Sequence, residues 1–433
     1  MWLPVGECIL KYTEHSRIFQ SRDRRFAKGC PLWYFAALSM APTIREQQVV
    51  LRRKEDRRVR SGHPWVFSNE IRETRGSPGP GEVVAVLDAG GRLLGIGFYH
   101  PHSLIAVRLL ARTEEEIDAD FFRRRLTAAL ETRTRLYPGE TVYRLVHGEA
   151  DFVPGLVIDR FNELLVVQTT CAGMDQRLPL LCALLEELLH PEAIIERNES
   201  PLRDLEGLAQ RRGLLSGSRH ATEVRLDGVL YRVDTLEGQK TGFFLDQREN
   251  RKVVATLTPG LSVLDCYCNE GGFALAAARA GALAVAGIDV SARAIQRARE
   301  NAACNDLERC LFETADVFEH LKSLRAAGQL FDLIVLDPPS FTRSRRTVPQ
   351  ARQGYLDLHR SALALLRSPG FLCTASCSHH ITPETFLEII HRACREAGRP
   401  AQLLQWRGAS PDHPVLPAVP ETHYLKFGIF RVL

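Results

Sequence analysis

Phe331-Asp-Leu-Ile-Val-Leu-Asp-Pro-Pro-Ser-Phe341 reads as a buried strand that ends in an acid, two prolines and an aromatic residue. The unbroken apolar run Leu333-Ile-Val-Leu336 suits a strand covered on both faces, as in a parallel sheet wrapped by helices. Pro338 and Pro339 have no N–H to donate, so strand pairing stops there. Ligands of open parallel sheets bind outside the carboxyl ends of the strands. Asp337, Pro338 and Phe341 therefore stand where chemistry is expected, with a rigid turn after a core strand as the plain alternative.

Outward from this strand, residues 226–433 alternate strand and helix. Strands are expected at 262–266, 283–288, 310–314, 331–336 and 371–376, and helices at about 272–280, 291–303, 316–327, 352–367 and 383–397. That rhythm predicts an α/β fold with right-handed crossovers and a doubly wound, mostly parallel sheet. Two late strand-like pieces, 402–406 and 424–432, are expected to finish its edge.

The first strand of this block runs into Asp265-Cys-Tyr-Cys-Asn-Glu-Gly-Gly-Phe273, a tight loop and a helix start. Gly271 and Gly272 allow close backbone approach to a ligand. There is no Gly-x-Gly-x-x-Gly and no phosphate-loop lysine, which argues against a pyrophosphate site. The second strand ends at Asp289, where a carboxylate can accept both ribose hydroxyls. After the third strand, Asp316 is placed to accept an adenine amino hydrogen. A ribose acid and an adenine acid without a phosphate loop point to an adenosyl cofactor, and S-adenosylmethionine fits. Each Asp alone reads equally well as a helix N-cap. Four acids at successive strand ends, Asp265, Asp289, Asp316 and Asp337, favour a site.

The fifth strand, Phe371-Leu-Cys-Thr-Ala-Ser-Cys-Ser-His-His380, carries Cys377 at its carboxyl end between two serines, beside the Asp337 loop if the strands are neighbours. Cys373 reads as a structural core residue. A cysteine at a strand end can be a nucleophile or merely buried. Carbon 5 of cytosine becomes nucleophilic once a thiolate adds at carbon 6, and such a thiolate needs surroundings that favour it.

A chain of 433 residues suggests two or three domains. The block 46–113 is rich in Gly and β-branched residues with strand patterns at 82–87, 93–98 and 104–110, as in a small β-barrel. The block 114–225 is α+β, with helices at 114–133 and 178–189 and strands at 164–170 and 193–196, and holds no catalytic motif. Residues 1–45 form an N-terminal extension in which residues 1–40 have no clear period, and Met40 is a candidate start. No apolar run reaches the roughly 18 residues of a membrane span. The formal charge is only +4, so contact with nucleic acid requires local clusters. Candidates are Arg52-Arg-Lys54, Arg57-Arg58-Val-Arg60 and Arg343-Ser-Arg-Arg346, each of which also reads as a solvated face. Eleven cysteines at irregular spacing do not form a secreted disulfide framework, and no paired zinc-ligand spacing accompanies them. The reading assigns no metal and expects a reducing, cytoplasmic setting.

These motifs together resemble a known family. Ser61-Gly-His-Pro-Trp-Val-Phe67, Tyr143-Arg-Leu-Val-His-Gly-Glu-Ala-Asp151 with Pro154-Gly-Leu156, Gly238-Gln-Lys-Thr-Gly-Phe-Phe-Leu-Asp-Gln-Arg248 with Asn250-Arg251, Asp337-Pro-Pro-Ser-Phe341, Ser376-Cys-Ser378 and Asp412-His-Pro414 are similar to motifs of the bacterial class I methyltransferases that form 5-methylcytosine in 23S ribosomal RNA. The resemblance covers about residues 48–433. It implies a PUA RNA-binding domain, an α+β middle domain and a Rossmann-like catalytic domain. It further implies Cys377 as nucleophile assisted by Asp337. Phe243, Asp246, Gln247, Arg248, Asp265, Asn269, Gly271, Phe273, Asp289, Asp316, Asp337 and Pro338 would then lie around S-adenosylmethionine. The RNA-facing set expected is Arg57, Arg60, His63, Trp65, Phe341, Arg343, Arg345 and Arg346. The expected partner is large-subunit ribosomal RNA, with no membrane and a homodimer left open. The sequence departs from the family pattern at Phe152, where Gly is usual, at Glu270, where a small hydroxyl residue is usual, and at Cys268-Asn269. Relatives with the same Asp-Pro-Pro loop methylate guanine, so a guanine N-methyltransferase stays open, as does a cofactor-binding ribosome-assembly factor.

Overall fold

The computed structural model describes residues 46–238, 241–342 and 344–433. The expectations for residues 1–45 and Arg343 lie outside them. In the described part, no helix is long and apolar enough to cross a membrane.

The first block forms a six-stranded sheet of β1 (Gln48–Leu51), β2 (Trp65–Phe67), β3 (Ile71–Arg75), β4 (Val83–Leu87), β5 (Leu93–Tyr99) and β6 (Ile105–Ala111), in the order β2-β6-β5-β4-β1-β3. Alternating residues such as Val49, Leu51, Val84, Val86, Val107 and Leu109 fill its small core. The second block is a five-stranded sheet in the order β11-β10-β9-β8-β7, built from β7 (Val142–His147), β8 (Leu156–Phe161), β9 (Leu164–Thr169), β10 (Ala193–Asn198) and β11 (Arg211–Ser216). Its first helix runs Ala119–Leu136 rather than 114–133, because Asp118 caps it by accepting from the Phe121 N–H.

A hairpin, β12 (Ala221–Leu226) and β13 (Val229–Asp234), leads into the third block, and the boundary expected at 226 falls on the last residue of β12. The N–H groups of Leu230 and Arg232 on its open edge are taken up by the Asn305 and Asn301 side chains.

The third block is the expected α/β layer. Its strands are β14 (Ser262–Cys266), β15 (Ala284–Asp289), β16 (Cys310–Thr314), β17 (Phe331–Leu336), β18 (Leu366–Ser376), β19 (Ala401–Arg407) and β20 (Lys426–Val432). The order is β16-β15-β14-β17-β18-β20-β19, with β14 to β18 parallel. Strand alternation explains the apolar run that opened the reading. Leu333 and Val335 point into one core layer and Ile334 and Leu336 into the other, all four fully buried.

One expectation changes. The 424–432 strand does not finish the edge but lies antiparallel between β18 and β19. Burial decides this: Phe427 to Phe430 are all buried, whereas Leu403 and Leu404 of β19 are about half exposed. The strand that is apolar on both faces takes the interior.

Candidate active site

The first loop after β14 is held in an unusual backbone. Tyr267, Asn269 and Gly271 all have positive φ, at 63°, 48° and 85°. Two acids brace it. Asp289 accepts from the Asn269 N–H at 3.0 Å and the Ser291 N–H at 2.9 Å, and Asp265 accepts from the Ala274 N–H at 2.9 Å. A Cβ on Gly271 would press on Leu275 and Phe312 at 3.1 Å. Glu270 is anchored by Arg297 at 3.0 Å.

Four buried polar atoms around this loop have no protein partner: Asp265 Oδ1, Asn269 Oδ1, Glu270 Oε2 and Arg251 Nη2. Burial pushes the Asp265 carboxyl well above its usual range, and neighbouring Asp337 and Asp289 push the same way. Orphaned buried donors and acceptors are costly unless a ligand completes them. Acceptors beside a guanidinium suit a ligand that carries an ammonium, a carboxylate and hydroxyls, and S-adenosylmethionine has all three.

The other expected cofactor residues divide. The Phe243 ring lies between Tyr231, at 4.7 Å, and the Arg251 guanidinium, at 4.8 Å. Asp246 accepts from the Tyr424 hydroxyl at 2.7 Å, and Gln247 accepts from Asn250. Asp316 caps the helix Val317–Ala326 by accepting from the Glu319 N–H. Phe273 stacks on Phe427 in the core, with ring planes 3° apart. The Arg248 guanidinium lies over the Tyr137 ring, donates to the Val142 carbonyl and pairs with Glu140, all in the middle block, so it joins two blocks.

The Asp337 loop is stitched down on both sides. The Asp337 N–H donates to the Cys266 carbonyl at 3.4 Å, and the Phe341 N–H donates to Ser378 Oγ at 3.1 Å. It therefore bridges the cofactor loop and the end of β18, where Cys377 sits half-buried. Ser378 Oγ also meets the Ser340 and Tyr355 hydroxyls. Cys373 is fully buried in the core, as expected, and burial raises its thiol.

Lys426 was missed. Opposite Ser376 in the β18–β20 pair, it donates from Nζ to the carbonyls of Ser378 and Tyr424, both at 2.8 Å. Burial pulls its pKa down to about 8, against the opposing influence of Cys377. The available signal was one lysine inside the apolar run Leu425-Lys-Phe-Gly-Ile-Phe430. Arg251 was quoted within a motif but not assigned to the site.

Three distant motifs converge on one buried network. Arg144 grips Asp159 bidentately at 2.6 and 2.8 Å, while Asp412 accepts from the Arg144 N–H and meets His413 at 2.9 Å. Thr241 donates to Asp159, and Arg133 forks onto Asp151 and reaches the Asp412 carbonyl.

The expected RNA-facing residues divide between joint positions and exposed ones. His63 is buried and accepts from the Trp65 N–H, and Trp65 donates from Nε1 to Glu149 of the middle block at 2.8 Å. Both are joint residues. Phe341 packs on Tyr355 at 4.5 Å. Arg60 is exposed but pairs with Asp56 and Asp88. Arg57, Arg345 and Arg346 are exposed, the last two on the segment that follows the Asp337 loop.

A family model described as a PUA-like domain matches residues 49–112, and one described as an S-adenosylmethionine-dependent methyltransferase matches residues 212–431. The chain is 38% identical over 393 residues to the Ribosomal RNA large subunit methyltransferase I of Tolumonas auensis, covering 89% of this chain and 99% of that protein. It is 40% identical to the protein of that name in Shewanella denitrificans, with the same coverage. Two solved chains share the fold at 19% identity, each covering 89% of this chain and 99% of the other. One, from Streptococcus mutans and assigned as a SAM-dependent methyltransferase, has a TM-score of 0.76, and the other, SMU.776, complexed with SAH, has 0.78. The chain belongs to the S-adenosylmethionine-dependent methyltransferases, in the family of the ribosomal RNA large subunit methyltransferase I proteins.

Proposed function

We propose that this protein acts in the cytoplasm on 23S ribosomal RNA and methylates carbon 5 of a cytosine, with Cys377 as nucleophile. The observation that carries the reading is the placement of Cys377 at the end of β18, next to the Ser378 that ties down the Asp337 loop. The Cys377 sulfur forms a bond to carbon 6 of the cytosine, and the carbon 5–carbon 6 electron pair becomes available at carbon 5. S-adenosylmethionine supplies an electrophilic methyl group on a sulfonium. Carbon 5 takes that methyl as the methyl–sulfur bond breaks and a neutral thioether leaves, a base removes the carbon 5 proton, and the returning pair expels the thiolate. Asp337 holds the cytosine edge. Asp265, Asn269 and Arg251 would hold the amino-acid end of the cofactor, with Asp289 at its ribose and Asp316 at its adenine. The first block docks the RNA, with Arg57, Arg345 and Arg346 supplying phosphate contacts.

The test is nucleoside mass spectrometry of 23S RNA treated with the enzyme and cofactor, together with a 5-fluorocytosine RNA. Fluorine blocks loss of the carbon 5 substituent, so a covalent adduct with wild type but not with Cys377→Ala is expected. A methylated guanine product would replace this reading with the guanine one.

A further inference from the structure

A cleft of about 590 Å³ lies where the three blocks meet, away from the cofactor loop. Ser61 and Gly62 of the first block, Arg112, Arg125 and Phe152 line it, and Pro417 contributes from the catalytic block. Two features set it apart. Phe152 has left-handed backbone, φ 59° and ψ 29°, yet its side chain is 53% exposed. A bulky residue in this conformation is strained, and here the ring recovers little burial in exchange. Strained residues of this kind cluster at ligand clamps and active sites.

The second feature is charge. The Arg125 guanidinium sits over the rings of Phe121, at 5.2 Å, and Phe152, at 5.6 Å, and makes a long hydrogen bond to the Leu110 carbonyl. Arg112 donates to the carbonyls of Val59 and His63. Among the described residues neither arginine has a carboxylate partner. The acid in the cleft wall, Glu149, is taken by Trp65 and Arg108. The cleft therefore presents an open aromatic face and two uncancelled cations.

We propose that Phe152 and Arg125 form a stacking platform for an unpaired nucleobase of the RNA substrate, with Arg112 facing its phosphate. Unpaired bases are bound by stacking on aromatic and guanidinium planes inside a positive groove. The Leu416–Ala418 wall belongs to the segment that runs on to Tyr424 and Lys426. The inference rests on RNA being the substrate and is independent of which base is methylated.

The experiment uses the full chain with deproteinised 23S RNA and with a single-stranded oligoadenylate of about ten nucleotides. Phe152→Trp is expected to bind both as wild type does, with its added indole emission quenched by the oligoadenylate. Phe152→Gly is expected to weaken oligoadenylate binding about ten-fold. It should also raise the Tm, because glycine adopts this backbone without strain, so lost affinity would not be lost folding. Wild-type affinity in Phe152→Gly, or an unquenched indole, would overturn the platform while leaving the RNA reading intact. If wild type bound neither RNA, the RNA reading itself would fall and the platform with it.

Discussion

The main-chain N–H of Phe341 donates to the hydroxyl oxygen of Ser378 at 3.1 Å, tying the loop after one central strand to the end of the next. Ser378 is fully buried and its oxygen also serves Ser340 and Tyr355. Ser378→Ala leaves these groups without their shared partner and is expected to cost about 1–3 kcal/mol of stability. Turnover should fall more than cofactor affinity, because the reacting loop shifts and the first loop does not. Urea denaturation and calorimetry with S-adenosylmethionine separate the two effects.

Cys377→Ala is expected to keep the Tm and cofactor affinity and to lose turnover, since a half-buried side chain leaves little cavity. Cys373→Ala removes a fully buried group and is expected to lower stability by about 1–3 kcal/mol with chemistry retained. Methyl incorporation that persists in Cys377→Ala would remove the covalent step.

Asp265 tests the cofactor pocket through pH. Its folded pKa is raised by burial, so the folded chain binds its proton more tightly than the unfolded chain. The contribution of Asp265 to stability is then present at low pH and lost as pH rises through the raised folded value. Asp265→Asn mimics the protonated form and still offers an oxygen to the Ala274 N–H. Without cofactor it is expected to be more stable than wild type at neutral pH, with the gap closing towards the ordinary carboxylate range. Its affinity for S-adenosylmethionine should fall, which calorimetry reads directly.

Lys426 has the opposite signature. Burial lowers its pKa from 10.5 to about 8, so the folded state releases its proton first. Wild-type stability is expected to rise with pH between about 8 and 10.5 from this group. Lys426→Met should flatten that rise, as seen by denaturation across the window. An unchanged slope would mean the ammonium is better solvated than its surroundings indicate.

Arg248→Ala should act on stability and not on ligand binding. Its guanidinium is buried against Tyr137, Val142 and Glu140, and removing it is expected to cost about 2–4 kcal/mol. Wild-type affinity for S-adenosylmethionine in a destabilised protein would fit a joint between blocks. A large loss of affinity with normal stability would return Arg248 to the cofactor site.

The parallel core was legible because Leu333–Leu336 is apolar on both faces, which only a covered strand tolerates. Cys377 and the Asp337 loop were legible as neighbours because consecutive strands of such a sheet usually pair, as β17 and β18 do. The contacts of His63, Trp65 and Arg248 with other blocks were not legible, for the converse reason. A polar or aromatic residue facing another block looks the same in sequence as one facing a ligand, and only tertiary pairing separates them. Lys426 left a trace, one charge in a buried strand, but its position beside Cys377 follows from β20 entering antiparallel, which periodicity does not specify.

That entry has a temporal consequence. β20 lies between β18 and β19 yet is synthesised after both. Until it emerges, the strand that carries Cys377 exposes a row of unpaired amide and carbonyl groups and β19 has no partner in the sheet. The nascent chain can assemble its first and middle blocks, and even the loop after β14, while the strand leading to Cys377 waits. Lys426 arrives with that last strand, so the cysteine acquires its cationic neighbour in the same event that closes the sheet. Folding order thus leaves the surroundings of Cys377 incomplete until the last strand of the sheet is in place.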